Sequence, residues 1–426
     1  MALVMKSVLA SRFCASFRTA VLIKHSSSAK FSIAAAGKKG SHSAPEEDIK
    51  KSVFISQSKD VFSNLALEDW MYRNMDFSKH HILMLWQNSP TVVIGRHQNP
   101  WLEANPQVLS ENGVEVARRN SGGGTVYHDN GNLNLTFFTA RDVYNRRRNL
   151  DLVTRALFRE FNLYSQVNSR EDIVINGNKI SGTASKLGNP NAYHHCTILV
   201  NVDKTVLHDA LCKHDKGITT TATASVPSPT VNLQEVNPNV SVEKLLSALG
   251  WEFLRSSPLS LKDGGLDYAS AQGGFQLVNP TEDWFPGLDK IREEFVSWAW
   301  RYGRTPEFTV SRSFPVPHLI ARESGMPLKD VKEELAISLK VVKGVIEDVT
   351  LKIPPSMMSA RGFTGDAEVL TSLRGKRFCE SAMEILGESL GQSESQTLSP
   401  EQFGTSSETE GERFVADCMR QTMMAV

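Results

Sequence analysis

The dipeptide Asn176-Gly177 stands between two apolar runs, Ile173-Val174-Ile175 and Lys179-Ile180. A two-residue hairpin turn needs positive φ at its centre, which asparagine and glycine tolerate best, so the chain doubles back here as antiparallel strands. A doubly wound parallel sheet is thereby disfavoured, because its strands are joined by helical crossovers rather than tight turns. Two further apolar runs, 82–86 and 91–94, flank Asn88-Ser89-Pro90 and read as paired strands. Strands are also expected over 53–56, 114–117, 133–139 and 193–200.

Helical spacing falls between these strands. Phe62, Leu65, Ala66 and Trp70 recur on one face behind Asp60, a residue suited to an N-cap. Asn105, Pro106 and Gly113 frame a short helix, and Leu150, Val153, Leu157 and Phe161 mark a longer one. Strands joined by tight turns and interleaved with helices define an α+β class with a mixed or antiparallel sheet.

At 426 residues the chain is long enough for two or three units. A boundary is expected near Gly303, after a helix with Ile291, Phe295, Trp298 and Tyr302 on one stripe. The expected organisation is a main unit over 48–303 and a smaller α+β unit over 304–386. The latter holds strands at 308–314 and 335–342, and a Lys343-Gly344 turn into a returning strand at 345–353.

The ends differ in composition. Residues 1–44 carry Arg12, Arg18 and several lysines, are rich in serine and contain no acid, which is the character of a mitochondrial transit peptide. Residues 387–412 are rich in Ser, Glu, Gly and Thr and read as a flexible linker. A short helix is expected from about 412 to 424, with Phe414, Val415, Cys418 and Met419 on one side.

Several classes are excluded. Lys plus Arg is 47 and Asp plus Glu is 47, a net charge of zero that argues against a non-specific nucleic-acid binder. The five cysteines are scattered with no C-x-x-C pair, so neither a disulfide framework nor a zinc ribbon is expected. No apolar run approaches the ~18 residues of a spanning helix.

The chemistry gathers at Arg118-Arg119-Asn120-Ser121-Gly122-Gly123-Gly124. Three glycines leave backbone N–H groups unshielded and permit positive φ, which suits a loop pressed against a phosphate or carboxyl group. The two arginines supply positive charge. Neither the P-loop pattern nor the dinucleotide fingerprint is present here. Downstream, Lys179 leaves the hairpin into Ile180-Ser181-Gly182-Thr183-Ala184, where small neighbours allow close approach of a ligand to an ammonium.

Taken together, Arg118-Arg119-x-Ser121-Gly122-Gly123-Gly124-x-Val126-x-His128-Asp129-x-Gly131-Asn132 and Lys179-Ile180-Ser181-Gly182-x-Ala184 resemble the lipoate–protein ligase and lipoyltransferase family. Val93 to Asn99 and Tyr193 to Thr197 add to the likeness, which runs from about 52 to about 386 and is strongest to the animal mitochondrial lipoyltransferases.

The resemblance implies a catalytic domain related to biotin ligases and class II aminoacyl-tRNA synthetases, with an accessory domain. It implies transfer of a lipoyl group, held as lipoyl-AMP or on a lipoylated carrier such as the glycine cleavage H protein. The acceptor is the ε-amine of a lysine in the lipoyl domains of 2-oxoacid dehydrogenase acyltransferase subunits. By matching positions, Arg119 and the backbone of Gly124, Thr125, Val126 and Tyr127 bind the adenylate, while Ser121 and His128 shape the loop. Arg170, Thr197, Ala222, Thr223 and Ala224 line the same groove. Lys179 is the expected catalytic residue, its charge set where negative charge develops as the anhydride opens. No permanent cofactor, metal, nucleic acid or membrane is implied; magnesium and ATP enter only if the chain is a complete ligase. A monomer in the mitochondrial matrix is expected. A complete ligase and a silent binder of lipoyl domains remain the alternatives.

Some residues invite functional readings that simpler roles explain. Cys196 lies in an apolar strand and reads as a buried thiol rather than a nucleophile. His194 and His195 alternate faces and cannot share a chelate. Arg146, Arg147 and Arg148 read as a solvated helix start, and the aromatic residues from Trp284 to Trp300 as core filling.

Overall fold

The computed structural model describes residues 45–212, 217–317, 320, 333–357, 368–369, 373–379, 382 and 410–424. The expected transit segment and residues 387–409 of the expected linker lie outside them.

The chain opens with β1 (Lys50–Ser56), α1 (Val61–Asn74), β2 (His80–Trp86) and β3 (Thr91–Ile94). It continues through β4 (Glu115–Arg118), β5 (Val126–His128), β6 (Asn132–Ala140) and α2 (Arg146–Phe161). Then come β7 (Gln166–Val167), β8 (Ile173–Ile175), β9 (Asn178–Lys179), β10 (Ser181–Leu187), β11 (Asn191–Leu199) and β12 (Ile218–Thr220). Next are α3 (Val242–Arg255), β13 (Phe275–Val278), α4 (Leu288–Val296), and strands β14 (Phe308–Pro315), β15 (Glu334–Val342), β16 (Val345–Lys352) and β17 (Glu368–Val369). Helix α5 (Glu410–Met424) follows.

The main sheet has the order β10-β11-β6-β2-β1-β13, with β1 parallel to both of its neighbours and the other pairs antiparallel. The class is therefore α+β with a mixed sheet. Its two faces bury different clusters. One holds Leu133, Leu135, Leu150, Val153, Leu157 and Leu249 beneath α2 and α3, and the other holds Leu65, Trp70, Phe138, Phe285 and Phe295 beneath α1 and α4. Asp60 caps α1 by accepting from Ser63 N at 3.0 Å.

A five-stranded antiparallel sheet, β12-β14-β15-β16-β17, has its own core around Leu335, Leu339, Val349 and Phe378. Edge strand β12 comes from before Gly303, so more than one crossing joins the two sheets. Lys343 and Gly344 form the β15–β16 turn at φ 51° and 73°. Cys418, Met419 and Met423 of α5 are buried in this core. The helix begins at Glu410, two residues earlier than its expected start.

Three expectations are corrected. β2 and β3 do not pair: β2 sits in the main sheet, whereas β3 lies between β4 and β5 in a small sheet. Their connection is fixed by Asn88, whose side chain bonds Asn64 and His128 inside the protein, so it crosses between sheets instead of closing a hairpin. The single helix expected through Tyr302 breaks at Ser297, whose extended ψ of 143° starts a new short helix with Trp300 buried. The Arg146–Arg148 run is not wholly solvated, since Arg146 bonds Glu171 and Ser185, and Arg148 bonds the carbonyls of Val143 and Leu259.

Candidate active site

Strand β4 delivers Arg118 and Arg119 to the glycine loop, and the two side chains then part. Arg118, fully buried, donates to the carbonyls of Gly95, Arg96 and Gln98 at 3.1, 3.1 and 2.8 Å, and to those of Trp300 and Arg301 at 3.1 and 2.9 Å. Arg119 turns into the loop itself. It donates to Ser121 Oγ at 3.0 Å, Val93 O at 3.0 Å, Gly122 O at 2.7 Å and Gly124 O at 2.6 Å. Burial lowers the two guanidiniums to about 9 and about 10, so both remain charged at neutral pH. The sequence suggested two arginines offering charge to a ligand. In the structure Arg118 clamps neighbouring backbone, and Arg119 folds the loop from within instead of reaching out of it.

The loop is stiffened from below. Ser121 Oγ lies 2.7 Å from His195 Nε2, and His195 Nδ1 lies 2.9 Å from Glu68 Oε1, which also accepts from Thr136 at 2.7 Å. The Glu68 carboxylate is an acceptor, so the His195 Nδ1–H points to it, and in the neutral ring Nε2 is left to accept the serine proton. His128 is buried beside this chain, bonded to Asn88 at 2.9 Å and held down to about 3 by burial and by the Arg119 charge. Ser121 thus links Arg119 of the loop to His195, while the side chain of His128 bonds the β2–β3 connection at Asn88. Gly123 takes φ 85°, and a Cβ on Gly95 would come within 2.1 Å of the Gly123 carbonyl oxygen.

Lys179 approaches from the other side. Its N–H donates to Pro229 O at 2.9 Å, and its carbonyl accepts from Val231 N at 3.1 Å. Its ammonium lies 2.7 Å from Asp172. Residues 222–231 then run on to the loop, where Ser225 Oγ accepts from Thr125 N at 2.8 Å and Thr223 N donates to His97 O at 3.1 Å. Gln98 secures this strip through Thr223 O, Ser225 Oγ and Thr125 Oγ1. Thr197 Oγ1 accepts from Gly182 N at 2.9 Å, and a Cβ on Gly182 would stand 3.0 Å from the Val126 side chain. Small residues at 182 and 184 are therefore what lets β10 lie against the loop.

Gly182 stands against Val126 and Thr197, Ser225 bonds Thr125 of the loop, and Lys179 is joined to the same 222–231 strip at Pro229 and Val231. Tyr127 departs, its ring packing into another cluster and its hydroxyl pushed up to about 12 by burial. Arg170 stands exposed on the turn leading to Asp172. Cys196 is buried and its thiol is pushed up to about 12, and His194 and His195 do face opposite ways. Sequence reasoning missed Glu68, His195, Asp172, Gln98 and Ser225. The adjacent acids Glu68-Asp69 inside an apolar helical stretch were a usable signal for the first of these.

Comparison with known proteins places the chain in a family. Residues 60–254 match the lipoyl protein ligase A/B catalytic domain. The chain is 40% identical over 337 residues to the human mitochondrial lipoyl amidotransferase LIPT1, covering 78% of this chain and 84% of that protein. It is 32% identical over 339 residues to lipoate-protein ligase A of Bdellovibrio bacteriovorus, covering 77% and 93%. Its fold resembles that of P. falciparum LipL1, whose structure holds lipoate, with a TM-score of 0.50 at 23% identity over 88% of this chain and all of that one. The chain belongs to the lipoate–protein ligase and lipoyltransferase family of enzymes.

Proposed function

We propose that the chain is a lipoyltransferase acting in the mitochondrial matrix as a monomer. It takes a lipoyl group from lipoyl-AMP, or from a lipoylated carrier such as the glycine cleavage H protein. It places that group on the lysine of lipoyl domains in 2-oxoacid dehydrogenase acyltransferase subunits. The neutral acceptor amine attacks the lipoyl carbonyl carbon, a C–N bond forms, and the C–O bond to AMP, or the C–N bond to the carrier lysine, breaks with the electron pair leaving on the departing group. The acceptor amine gives up a proton, which goes to the departing lysine nitrogen when the donor is a carrier and to solvent when AMP leaves as the phosphate anion.

In this reading Lys179 is the catalytic residue, its ammonium stabilising charge that grows on the acyl and phosphate oxygens. Backbone groups of Gly124, Thr125, Val126 and Tyr127 receive the adenylate, Arg119, Ser121 and His128 hold the loop, and Arg170, Thr197, Ala222, Thr223 and Ala224 border the groove. The observation that carries the reading is that residues 222–231 are bonded at one end to Thr125 of the glycine loop and at the other to Lys179. The division into a main unit over 48–303 and an accessory unit over 304–386 belongs to the same proposal. Likeness to an amidotransferase favours a donor made elsewhere over activation of lipoate by ATP and magnesium.

Mass spectrometry of an apo lipoyl domain incubated with the purified protein tests this, using lipoyl-AMP, lipoate with ATP and magnesium, and a lipoylated carrier as parallel donors. Product from lipoyl-AMP or the carrier alone is expected. Product from ATP would make the chain a complete ligase, and none from any donor would refute the proposal.

A further inference from the structure

We infer that Asp172 is the positioning residue for Lys179, and that the two act as a unit in acyl transfer. The inference rests on the reading of Lys179 given above. Asp172 Oδ1 lies 2.7 Å from Lys179 Nζ, with side-chain exposures of 8% and 23%. The pair is thus largely withdrawn from solvent, where opposite charges attract more strongly than on an open surface.

Both partners have fixed backbones. Asp172 N donates to Asn168 Oδ1 at 3.0 Å, and Asn168 N donates to Asp172 O at 2.9 Å, closing the turn in which Glu171 adopts φ 61°. One residue on, Ile173 N donates to Ser181 Oγ at 2.8 Å, which ties this strand to the start of β10. Lys179 pairs with Val174 across the hairpin and is held on its other edge by Pro229 and Val231. Lys179 therefore springs from β9, and Asp172 from the bonded turn that leads straight into β8.

A lysine side chain has four rotatable bonds, and one reaching into solvent samples many rotamers. The Asp172 carboxylate, 2.7 Å from the ammonium, removes most of that freedom and holds the charge in one place. A cation already in place needs no reorganisation when negative charge appears on the reacting oxygen. The positioning effect belongs to the chemical step rather than to docking of the acceptor domain.

A double-mutant cycle on the full chain, with D172N, K179A and the pair, tests this. The readouts are kcat and KM for an apo lipoyl domain with lipoyl-AMP, alongside thermal unfolding of each variant. D172N preserves size and is expected to lower kcat about tenfold, since small misplacements of a catalytic group are costly, while KM stays within about twofold. D172E, which restores the charge, should recover part of the loss. In the K179A background D172N should have no further effect. An unchanged kcat in D172N, or an equal fall on both backgrounds, would overturn the inference. K179A at the wild-type rate would instead overturn the role given to Lys179, and a wild-type chain without transfer would overturn the proposed function.

Discussion

Arg118 and Trp300 grip each other at both ends: the guanidinium donates to the Trp300 carbonyl at 3.1 Å, and the indole N–H donates back to the Arg118 carbonyl at 2.8 Å. The residue that begins the glycine loop is thereby bolted to the chain just ahead of the second sheet. Arg118 also satisfies Thr305 Oγ1 at 2.9 Å and the carbonyls of Gly95, Arg96 and Gln98. R118M would leave several of these acceptors buried and unpaired, and urea unfolding should show a loss of about 3 kcal/mol or more. A loss below about 1 kcal/mol would mean that water replaces the guanidinium.

Two glycines flanking the same loop should respond in opposite ways. A Cβ at Gly95 meets the Gly123 carbonyl oxygen at 2.1 Å, whereas one at Gly122 meets nothing within 4 Å. G95A must displace the loop and should cut transfer at least tenfold, at a stability cost of about 1–3 kcal/mol. G122A should leave the rate within about twofold. Equal rates for the two variants would show that loop shape does not govern transfer.

Three buried histidines set the acid limit. Burial holds His81 and His128 down to about 3 and His194 well below its ordinary value, with neighbouring positive charges adding to each. Their folded values lie below the unfolded value near 6.5, so between that pH and about 3 only the unfolded chain binds these protons. Stability is therefore fully present above pH 6.5 and falls on acidification, by up to about 1.4 kcal/mol per pH unit for each histidine. Urea titrations at pH 7, 6 and 5 should show this steep fall, and H128Q should flatten it by one proton's worth. An unaltered slope in H128Q would contradict the assignment.

Cys196 offers a sharp negative test. With its thiol buried and pushed up to about 12, it supplies no thiolate at neutral pH. C196A should transfer within about twofold of wild type, and iodoacetamide should not inhibit through this residue. A hundredfold loss on C196A with the fold intact would place a thioester on the pathway.

Local signals carried much of the architecture. Asn176-Gly177 turned as its φ preferences required, at 49° and 79°, and Asp60 capped the helix that follows it. The glycine loop and the lysine hairpin were legible because small residues and charges stand out in a strand-rich context. Side-chain partnership was not legible. His195 and Glu68 are 127 positions apart, and nothing in either segment specifies the other. The destination of the two arginines was not legible for a related reason: a charge in sequence has no direction, and here carbonyls of the protein's own backbone accept from those N–H groups. β2 and β3 misled because an Asn-Ser-Pro connection looks alike whether it closes a hairpin or changes sheets.

The placement of Cys418, Met419 and Met423 inside the second core bears on the order in which a chain delivered N-terminus first can fold. Strand β16 ends at Lys352, 71 residues before Met423 (423 − 352 = 71). Delivery of those residues trails that of the strands they cover, whether the chain leaves a ribosome or is threaded N-terminus first into an organelle. Throughout that interval the apolar side of the β14–β16 meander lacks the helix that finally covers it. The main sheet meets no such delay, because every strand it uses is made by Val278. The catalytic half can therefore be assembled while its smaller neighbour still waits for its closing piece, a window in which chaperone capture or early termination would act on one unit and spare the other.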